Sequence, residues 1–123
     1  MFQAHLKRLV DDTHGAVAGL LMGFDGIAVD TYLSPSQPNQ IDLDINTVGM
    51  EFSFVLTQVR KAAEILELGA VQEVTIRAER LTLLVRVVSH EYFVALAIRG
   101  EGNFGKGRYL LRVITPKLQA EVA

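Results

Sequence analysis

The chain has 123 residues, a mass of 13.6 kDa and a formal charge of −2, and half of its residues are apolar. Its length predicts a single domain over residues 1–123, and the high apolar fraction excludes a disordered chain. The absence of cysteine excludes a disulfide scaffold, a thiolate metal site and a cysteine nucleophile, and the charge balance argues against nucleic acid as a partner.

The first predicted element is an amphipathic helix over residues 2–11. Its apolar arc repeats at helical spacing and consists of Phe2, His5, Leu6, Leu9 and Val10. Gly15 follows and is a typical left-handed stop. This start lacks the basic-then-apolar order of a secretory signal, and no apolar run reaches the about 20 residues that span a bilayer. We therefore expect a cytoplasmic protein without membrane contact.

Two apolar runs, Ala16–Gly23 and Ile27–Tyr32, predict the first β-hairpin. Asp25-Gly26 between them is a strong turn signal because glycine tolerates a positive φ. The next stretch, from Leu33 to Asp44, holds two of the three prolines and is predicted to be a loop, whose role the sequence leaves open.

A second helix is predicted from an N-cap at Asn46 or Thr47 to about Leu68, with Gly69 as its stop. Its amphipathic pattern predicts that it covers one face of a sheet. The expected core arc consists of Phe52, Val55, Leu56, Val59, Ala62, Ala63 and Leu66. The expected solvated arc consists of Ser53, Thr57, Arg60, Glu64 and Glu67.

The remaining side of this helix carries a second stripe with apolar members. The stripe consists of Phe54, Gln58, Lys61 and Ile65, with Leu68 close by. A monomer has no reason to place Phe54 and Ile65 opposite its core, so the stripe predicts a surface that meets a second protein. The alternative is that one of these two side chains folds against the loop from Leu33 to Asp44.

Three β-rich runs follow the second helix: Val71–Ala78, Leu81–Val88 and Tyr92–Arg99. The gaps between them fit only hairpins, so the strands are predicted to be antiparallel. Leu81–Val88 carries apolar residues on both faces except at Arg86 and is predicted to be a central strand that is covered on both sides. Val71–Ala78 alternates as an edge strand does, and a bare edge invites pairing with another chain.

A last helix is predicted to start near Asn103 and to reach the C-terminus, ended or kinked by Pro116. Together the elements predict an α+β fold with a five-stranded antiparallel sheet, helices on both faces and the order α-β-β-α-β-β-β-α. The second helix and the edge strand are consecutive in the chain, so they are predicted to lie side by side. A two-fold dimer would then pair the edge strand with its copy and bring the two second helices together. The edge residues expected in that interface are Glu73, Val74, Thr75, Ile76 and Arg77.

No catalytic or cofactor motif stands out in the sequence. The segment Gly100–Gly107 satisfies G-x-G-x-x-G, but position 107 lacks the hydroxyl of a phosphate-binding loop and no second strand follows to complete a βαβ unit. The segment is therefore predicted to be a flexible connection between strand and helix. His5, His14 and His90 are scattered and predict no metal site. We expect no cofactor and no enzymatic activity.

Two segments and the order of elements resemble the Roadblock/dynein light chain family, in particular its short bacterial members of the mutual gliding protein B type. The segments are GAVAGLLMGFDGIAVD at residues 15–30, in the first hairpin, and NFGKGRYLLR at residues 103–112, at the start of the last helix. The resemblance covers essentially the whole chain and implies a single Roadblock-like domain.

This resemblance implies a non-enzymatic dimer, with itself or a paralogue, built by edge-strand pairing with adjacent second helices. It also implies that a Ras-like small GTPase of cell polarity and motility binds across those helices and is regulated without an arginine finger. The matching surface on this chain consists of Glu51, Phe54, Gln58, Lys61 and Ile65. The alternative function is a dimerisation or assembly module of a polarity, motility or signalling complex that contacts no GTPase. The bulky Met50, Phe52 and Phe54 depart from the family pattern.

Overall fold

Five antiparallel strands form one sheet with helices on both faces, in a computed structural model that describes residues 2–36 and 44–122. This architecture confirms the predicted α+β fold class and element order. Residues 37–43 of the predicted loop lie outside the described residues. The elements are α1 (Phe2–Asp11), β1 (Ala16–Gly23), β2 (Ala28–Leu33), α2 (Ile45–Ile65), β3 (Glu73–Arg77), β4 (Leu81–Val87), β5 (Tyr92–Arg99) and α3 (Phe104–Val122).

The strand order across the sheet is β2-β1-β5-β4-β3. β3 lies at one edge, as its alternating pattern predicts, and β2 lies at the other. β4 is internal and contributes buried residues to both faces of the sheet, which confirms its prediction as a central strand. β5 takes the middle position, because its residues from Phe93 to Ile98 are buried on both faces of the sheet.

The two faces of the sheet bury separate apolar clusters. α1 and α3 cover one face, and the cluster there includes Leu6, Leu9, Leu96, Ile98, Leu111 and Ile114. α2 covers the other face, where the cluster includes Leu20, Met22, Leu56, Leu83 and Phe93. One face of the sheet is therefore covered by a single helix and the other face by two.

The N-terminus of α2 is capped by a residue that the sequence analysis did not select. Asp44 is the N-cap, and its Oδ1 accepts a hydrogen bond from the Asn46 N–H at 3.0 Å. The predicted caps Asn46 and Thr47 are therefore wrong, and both lie inside the helix. A carboxylate is the better cap here because its charge also interacts favourably with the positive end of the helix dipole.

The C-terminus of α2 is closed by a Schellman motif. The helix ends at Ile65, and Glu67 adopts a left-handed φ of 55°. The Leu68 N–H donates to the Ala63 carbonyl and the Glu67 N–H donates to the Glu64 carbonyl, which is the bond pair of this motif. The predicted end at Leu68 is therefore wrong, and Leu68 lies just beyond the helix.

Glu67→Gly is expected to raise the free energy of unfolding by about 0.5–1 kcal/mol. A non-glycine residue at a left-handed position costs about 1–2 kcal/mol, and the greater freedom of glycine in the unfolded chain offsets part of the gain. Chemical denaturation measures the difference. The matched control Glu64→Gly, inside the helix, should lower the same quantity by about 1 kcal/mol. A loss of stability in Glu67→Gly would contradict this cap geometry.

Small residues set the distance between α2 and the sheet. A Cβ at Gly49 would lie 2.3 Å from Leu20 Cδ2 and 3.0 Å from Met22 Sδ, so only glycine allows this approach. Ser53 is only 1% exposed, and a Cβ at Gly26 of the β1–β2 turn would lie 3.4 Å from its Oγ. The side of α2 that is packed most closely is therefore centred on Gly49 and Ser53.

This rotation of α2 reverses four predictions. Ser53, which was expected in the solvated arc, is buried. Val55, Ala62 and Leu66, which were expected in the core, are exposed, and the exposed fraction is 47% for Val55 and 66% for Leu66. The hydrophobic pattern alone misplaced them, because it weights large apolar residues and not the small ones that permit close packing.

The glycine-rich segment before α3 is a tightly packed junction and not the flexible connection that was expected. A Cβ at Gly102 would lie 2.9 Å from the backbone oxygen of His14, so this position has no room for a side chain. Asn103 Oδ1 accepts from the Lys106 N–H at 3.0 Å, which confirms the predicted start of the helix. Pro116 lies inside α3 and does not end it, and buried apolar residues hold the helix to the sheet on both sides of the proline.

Candidate interaction surfaces

Large apolar side chains on the outward side of α2 are open to solvent. Phe54 is 63% exposed, Ile65 is 80% exposed, and Leu68 just beyond the helix is 72% exposed. The alternative prediction, that one of these side chains folds against the loop from Leu33 to Asp44, involves residues 37–43, which lie outside the described residues, and it stays a prediction. We call the following set, whose members are all exposed, the α2 surface: Glu51, Phe54, Gln58, Lys61, Ile65 and Leu68.

Three further exposed apolar side chains extend this surface and were not predicted to belong to it. Met50, Val55 and Leu66 are 42%, 47% and 66% exposed. The signal that could have identified them is the spacing of Gly49 and Ser53, four residues apart on one helix face. Small residues at that spacing mark the side of a helix that approaches its neighbour most closely, so the large residues beside them point outwards.

Arg60 holds the C-terminal part of α2 to two turns at one end of the sheet. Its Cζ lies 3.9 Å from the centroid of the Phe24 ring, and that ring lies 5.2 Å from the buried Phe93 ring. Arg60 Nη2 donates to His90 Nδ1 at 3.0 Å, which requires an unprotonated Nδ1. Although Arg60 was predicted to be solvated, it is half-buried and positions the helix that presents the α2 surface.

The free edge of β3 offers unpaired backbone groups. Hydrogen bonds at Ala78 and Gln72 show that the even-numbered residues of this strand pair with β4. The N–H and C=O groups of Glu73, Thr75 and Arg77 therefore point away from the sheet. No hydrogen bond among residues 2–36 and 44–122 engages these outward groups. β3 therefore retains the hydrogen-bonding capacity to accept another strand.

The free edge of β2 is blocked by side chains at Thr31. The Ser34 N–H bonds to the Val17 carbonyl, so the backbone groups of Thr31 point outwards. The Thr31 N–H donates to Asp30 Oδ1 at 2.9 Å, and Gln3 Nε2 donates to the Thr31 carbonyl at 2.7 Å. Gln3 Nε2 also donates to Asp30 Oδ1 at 2.6 Å. The outward groups of Thr31 are thus satisfied within the chain, and β3 is the better edge for pairing.

The predicted proximity of α2 and β3 is only partly observed. α2 approaches β1 and β2 most closely, and Leu56 in its middle belongs to the same apolar cluster as Leu83 and Val85 of β4, the strand next to β3. Val74 and Ile76 point to the α2 face but are only half-buried, since the helix does not reach far enough to cover them. The β3 edge is therefore apolar on the α2 face and polar on the other face, where Glu73, Thr75 and Arg77 lie.

Glu73 is surrounded by arginines on the face covered by α3. Arg108 forms a short ion pair with Glu73 Oε1, and Arg86 Nη1 lies 3.4 Å from Oε2. The hydrogen bond from Arg108 is the main cause that lowers the pKa of Glu73, and the charges of Arg108, Arg86 and Arg112 lower it further, against the opposing effect of burial. Glu73 is thus ionised and held in place at the β3 edge.

Glu73→Gln is expected to lower the free energy of unfolding at pH 7 by about 0.5–1 kcal/mol. Because the folded-state pKa is lowered, the ion pair stabilises the protein above about pH 4.5 and loses that effect as pH falls through the folded-state pKa. The difference between wild type and variant should therefore shrink between pH 7 and pH 3 in urea titrations. Glu64→Gln is the control, and an equal difference at both pH values would contradict the ion pair.

The described residues contain neither a metal-ligand cluster nor a helix that could cross a membrane. Among residues 2–36 and 44–122, no group of three or more His, Cys, Asp or Glu side chains could hold a metal ion. No helix in the same ranges is long and apolar enough to cross a membrane. The glycine-rich segment is occupied by packing against the chain itself. The α2 surface and the β3 edge are therefore the features that call for a functional explanation.

Comparison with solved structures finds matches along the whole chain. MglC from Myxococcus xanthus is 46% identical, with 96% of each chain covered and a TM-score of 0.68. The gliding protein MglB from Thermus thermophilus is 20% identical over 98% of this chain and 88% of its own, with a TM-score of 0.84. A Roadblock/LC7 domain from Streptomyces avermitilis is 15% identical over 98% of this chain and 96% of its own, with a TM-score of 0.81. No family model and no curated protein matches.

Proposed function

The chain belongs to the Roadblock/dynein light chain family, and we propose that it is a non-enzymatic, homodimeric regulator or scaffold that binds a Ras-like small GTPase through its second helices. The family membership rests on the 46% identity to MglC over 96% of both chains and on the fold shared with MglB and Roadblock/LC7 domains. Gliding is part of the name of one MglB relative, which supports a role in motility for the proposed complex.

The observation that carries this proposal is the exposure of Phe54, Ile65 and Leu68 on the α2 surface. Exposed apolar patches on small proteins mark interaction sites, because leaving them in water costs about 25 cal/mol per Å² that burial would recover. The charged and polar members Glu51, Gln58 and Lys61 interrupt the patch and provide specificity without preventing burial of the apolar residues.

Dimerisation through β3 would combine the α2 surfaces of two copies. Pairing two β3 edges would create one continuous sheet and place the two half-covered α2 faces next to each other. The half-buried Val74 and Ile76 would then be covered by residues of the second copy. Two α2 surfaces would form one larger site, and a GTPase bound there would be regulated if the site fitted one conformation of its switch region better than the other.

The proposal is tested with the Ras-like GTPase encoded nearest to this gene. Binding is measured by calorimetry with the GTPase loaded with GDP or with a non-hydrolysable GTP analogue, and single-turnover GTP hydrolysis is measured with and without this protein. We expect binding that depends on the nucleotide. No binding in either nucleotide state would reject the GTPase partner.

A dimerisation or assembly module without GTPase contact is the second candidate. Met50 and Phe54, which are bulky and exposed at the start of α2, favour it, because they limit how closely a GTPase could approach the paired helices. In that case light scattering would still show the dimer, while GTPase binding would be absent and the hydrolysis rate unchanged.

A further inference from the structure

We infer that two copies of this chain pair their β3 strands in one register, with Thr75 on the two-fold axis and Glu73 of each copy opposite Arg77 of the other. The inference rests on the proposed homodimer and adds the register of its interface. It follows from the backbone directions of β3, the order of its side chains and the state of the β2 edge.

Backbone geometry restricts the register first. In an antiparallel pair, a residue whose N–H and C=O point towards the partner strand lies opposite a residue that does the same. On β3 these residues are Glu73, Thr75 and Arg77, since the intervening residues bond to β4. The two-fold axis must therefore pass through a residue and not between two residues, which leaves registers centred on positions 73 to 77.

Charge then separates these registers. Centring on Glu73 or Arg77 places two like charges directly opposite each other, which is destabilising. Centring on Ile76 places Glu73 opposite Glu79 of the second copy, again a like-charge pair. Centring on Val74 leaves Arg77 opposite Val71 and Glu73 opposite Thr75, without any compensating charge.

A register centred on Thr75 places favourable pairs of side chains on both faces of the strand. In this register the segment Glu73–Arg77 is complementary in charge to its own copy, because its first residue is acidic, its last is basic and its middle residue is a neutral threonine. On the opposite face, Val74 lies against Ile76 of the second copy, which covers two half-buried side chains in each chain. All outward backbone groups of the strand are paired in this register.

The surroundings of Glu73 fit the same arrangement. Arg86 lies directly opposite Glu73 on β4 and pairs with its carboxylate from that side. Arg77 of the second copy would lie on the other side of Glu73, so the carboxylate would be flanked by basic residues on both neighbouring strands. Arg77 in the single chain stacks on the Phe104 ring, with Cζ 4.4 Å from the centroid, and is exposed.

Single cysteines test the register in the full chain, which has no cysteine of its own. Val74→Cys, Thr75→Cys and Ile76→Cys are each oxidised with copper phenanthroline and separated on non-reducing gels. Opposed residues that exchange hydrogen bonds have Cα atoms about 5.5 Å apart, within the about 4.4–6.8 Å that a disulfide needs. Each shift of the axis by one residue adds roughly 6 Å along the strand between the two thiols. We expect Thr75→Cys to form most of the disulfide-linked dimer.

Reversal of the charge at Arg77 tests the register independently. Arg77→Glu is expected to weaken dimerisation about tenfold, since it places two carboxylates opposite each other twice per dimer, whereas the same change at Arg80 lies outside the paired segment and should have no effect. Analytical ultracentrifugation measures both. Preferential cross-linking of Val74→Cys or Ile76→Cys, or no cross-linking of a dimer, overturns the register and leaves the proposed function intact. A monomer at all concentrations overturns both the register and the homodimer.

Discussion

Thr75→Pro is expected to convert the proposed dimer into a monomer. Proline removes the outward N–H of Thr75, which each copy would use across the interface, and its ring prevents close approach of a second strand. The loss of two hydrogen bonds between copies corresponds to about 2–4 kcal/mol, or about 30- to 1000-fold in the dimer Kd. Light scattering at a series of micromolar concentrations measures the change in mass.

This substitution separates the interface from the fold. The Thr75 N–H points away from β4 and is not used within the chain, so an edge proline should leave the far-UV circular dichroism spectrum unchanged. Thr75→Val is the matched control, because it keeps the N–H and a side chain of similar shape and should remain dimeric. A dimer that persists in Thr75→Pro contradicts pairing through β3 in any register.

Phe54→Asp is expected to weaken binding at the α2 surface by at least about tenfold. The Phe54 side chain is 63% exposed in the single chain, so its replacement should change the stability of the monomer little. An aspartate in a closed interface must lose its hydration without a partner, which costs several kcal/mol. Calorimetry with the GTPase and light scattering of the protein alone measure the two associations separately.

The control for Phe54→Asp adds the same charge on the other side of the sheet. Ala4 is exposed on α1, in the layer opposite α2, so Ala4→Asp should leave both associations unchanged. Ile65→Asp, at the other end of the α2 surface, provides the second test. Unchanged binding and unchanged assembly in both Phe54→Asp and Ile65→Asp would reject this surface.

The sequence predicted the elements more reliably than their ends. Every helix and strand was expected at its observed place in the order, since alternation and helical spacing are local properties that need only a few neighbouring residues. The ends of α2 were wrong at both termini. Asp44 caps the helix where Asn46 or Thr47 was expected, and the left-handed residue that ends the helix is Glu67, two residues before Gly69, whose φ is also positive. Several residue types can cap a helix, so composition does not choose between neighbours.

The candidate site was predicted in part. Phe54 and Ile65 were expected to be exposed because they lie opposite the large apolar residues of α2, and the structure confirms this. Val55 and Leu66 were expected in the core and are exposed as well. Their misplacement has one cause, which is that the rotation of a helix depends on the shape of the surface beneath it.

By itself, the sequence determined the fold class, the edge position of β3 and the existence of an apolar stripe with no place in the core of one chain. Only the tertiary structure decided which way α2 turns, since Gly49 and Ser53 can approach the sheet at Leu20 and Gly26 more closely than any larger residue. It also decided which sheet edge remains open. Gln3 blocks the β2 edge at Thr31 from a distant part of the chain, and such a contact depends on three-dimensional position rather than on local pattern.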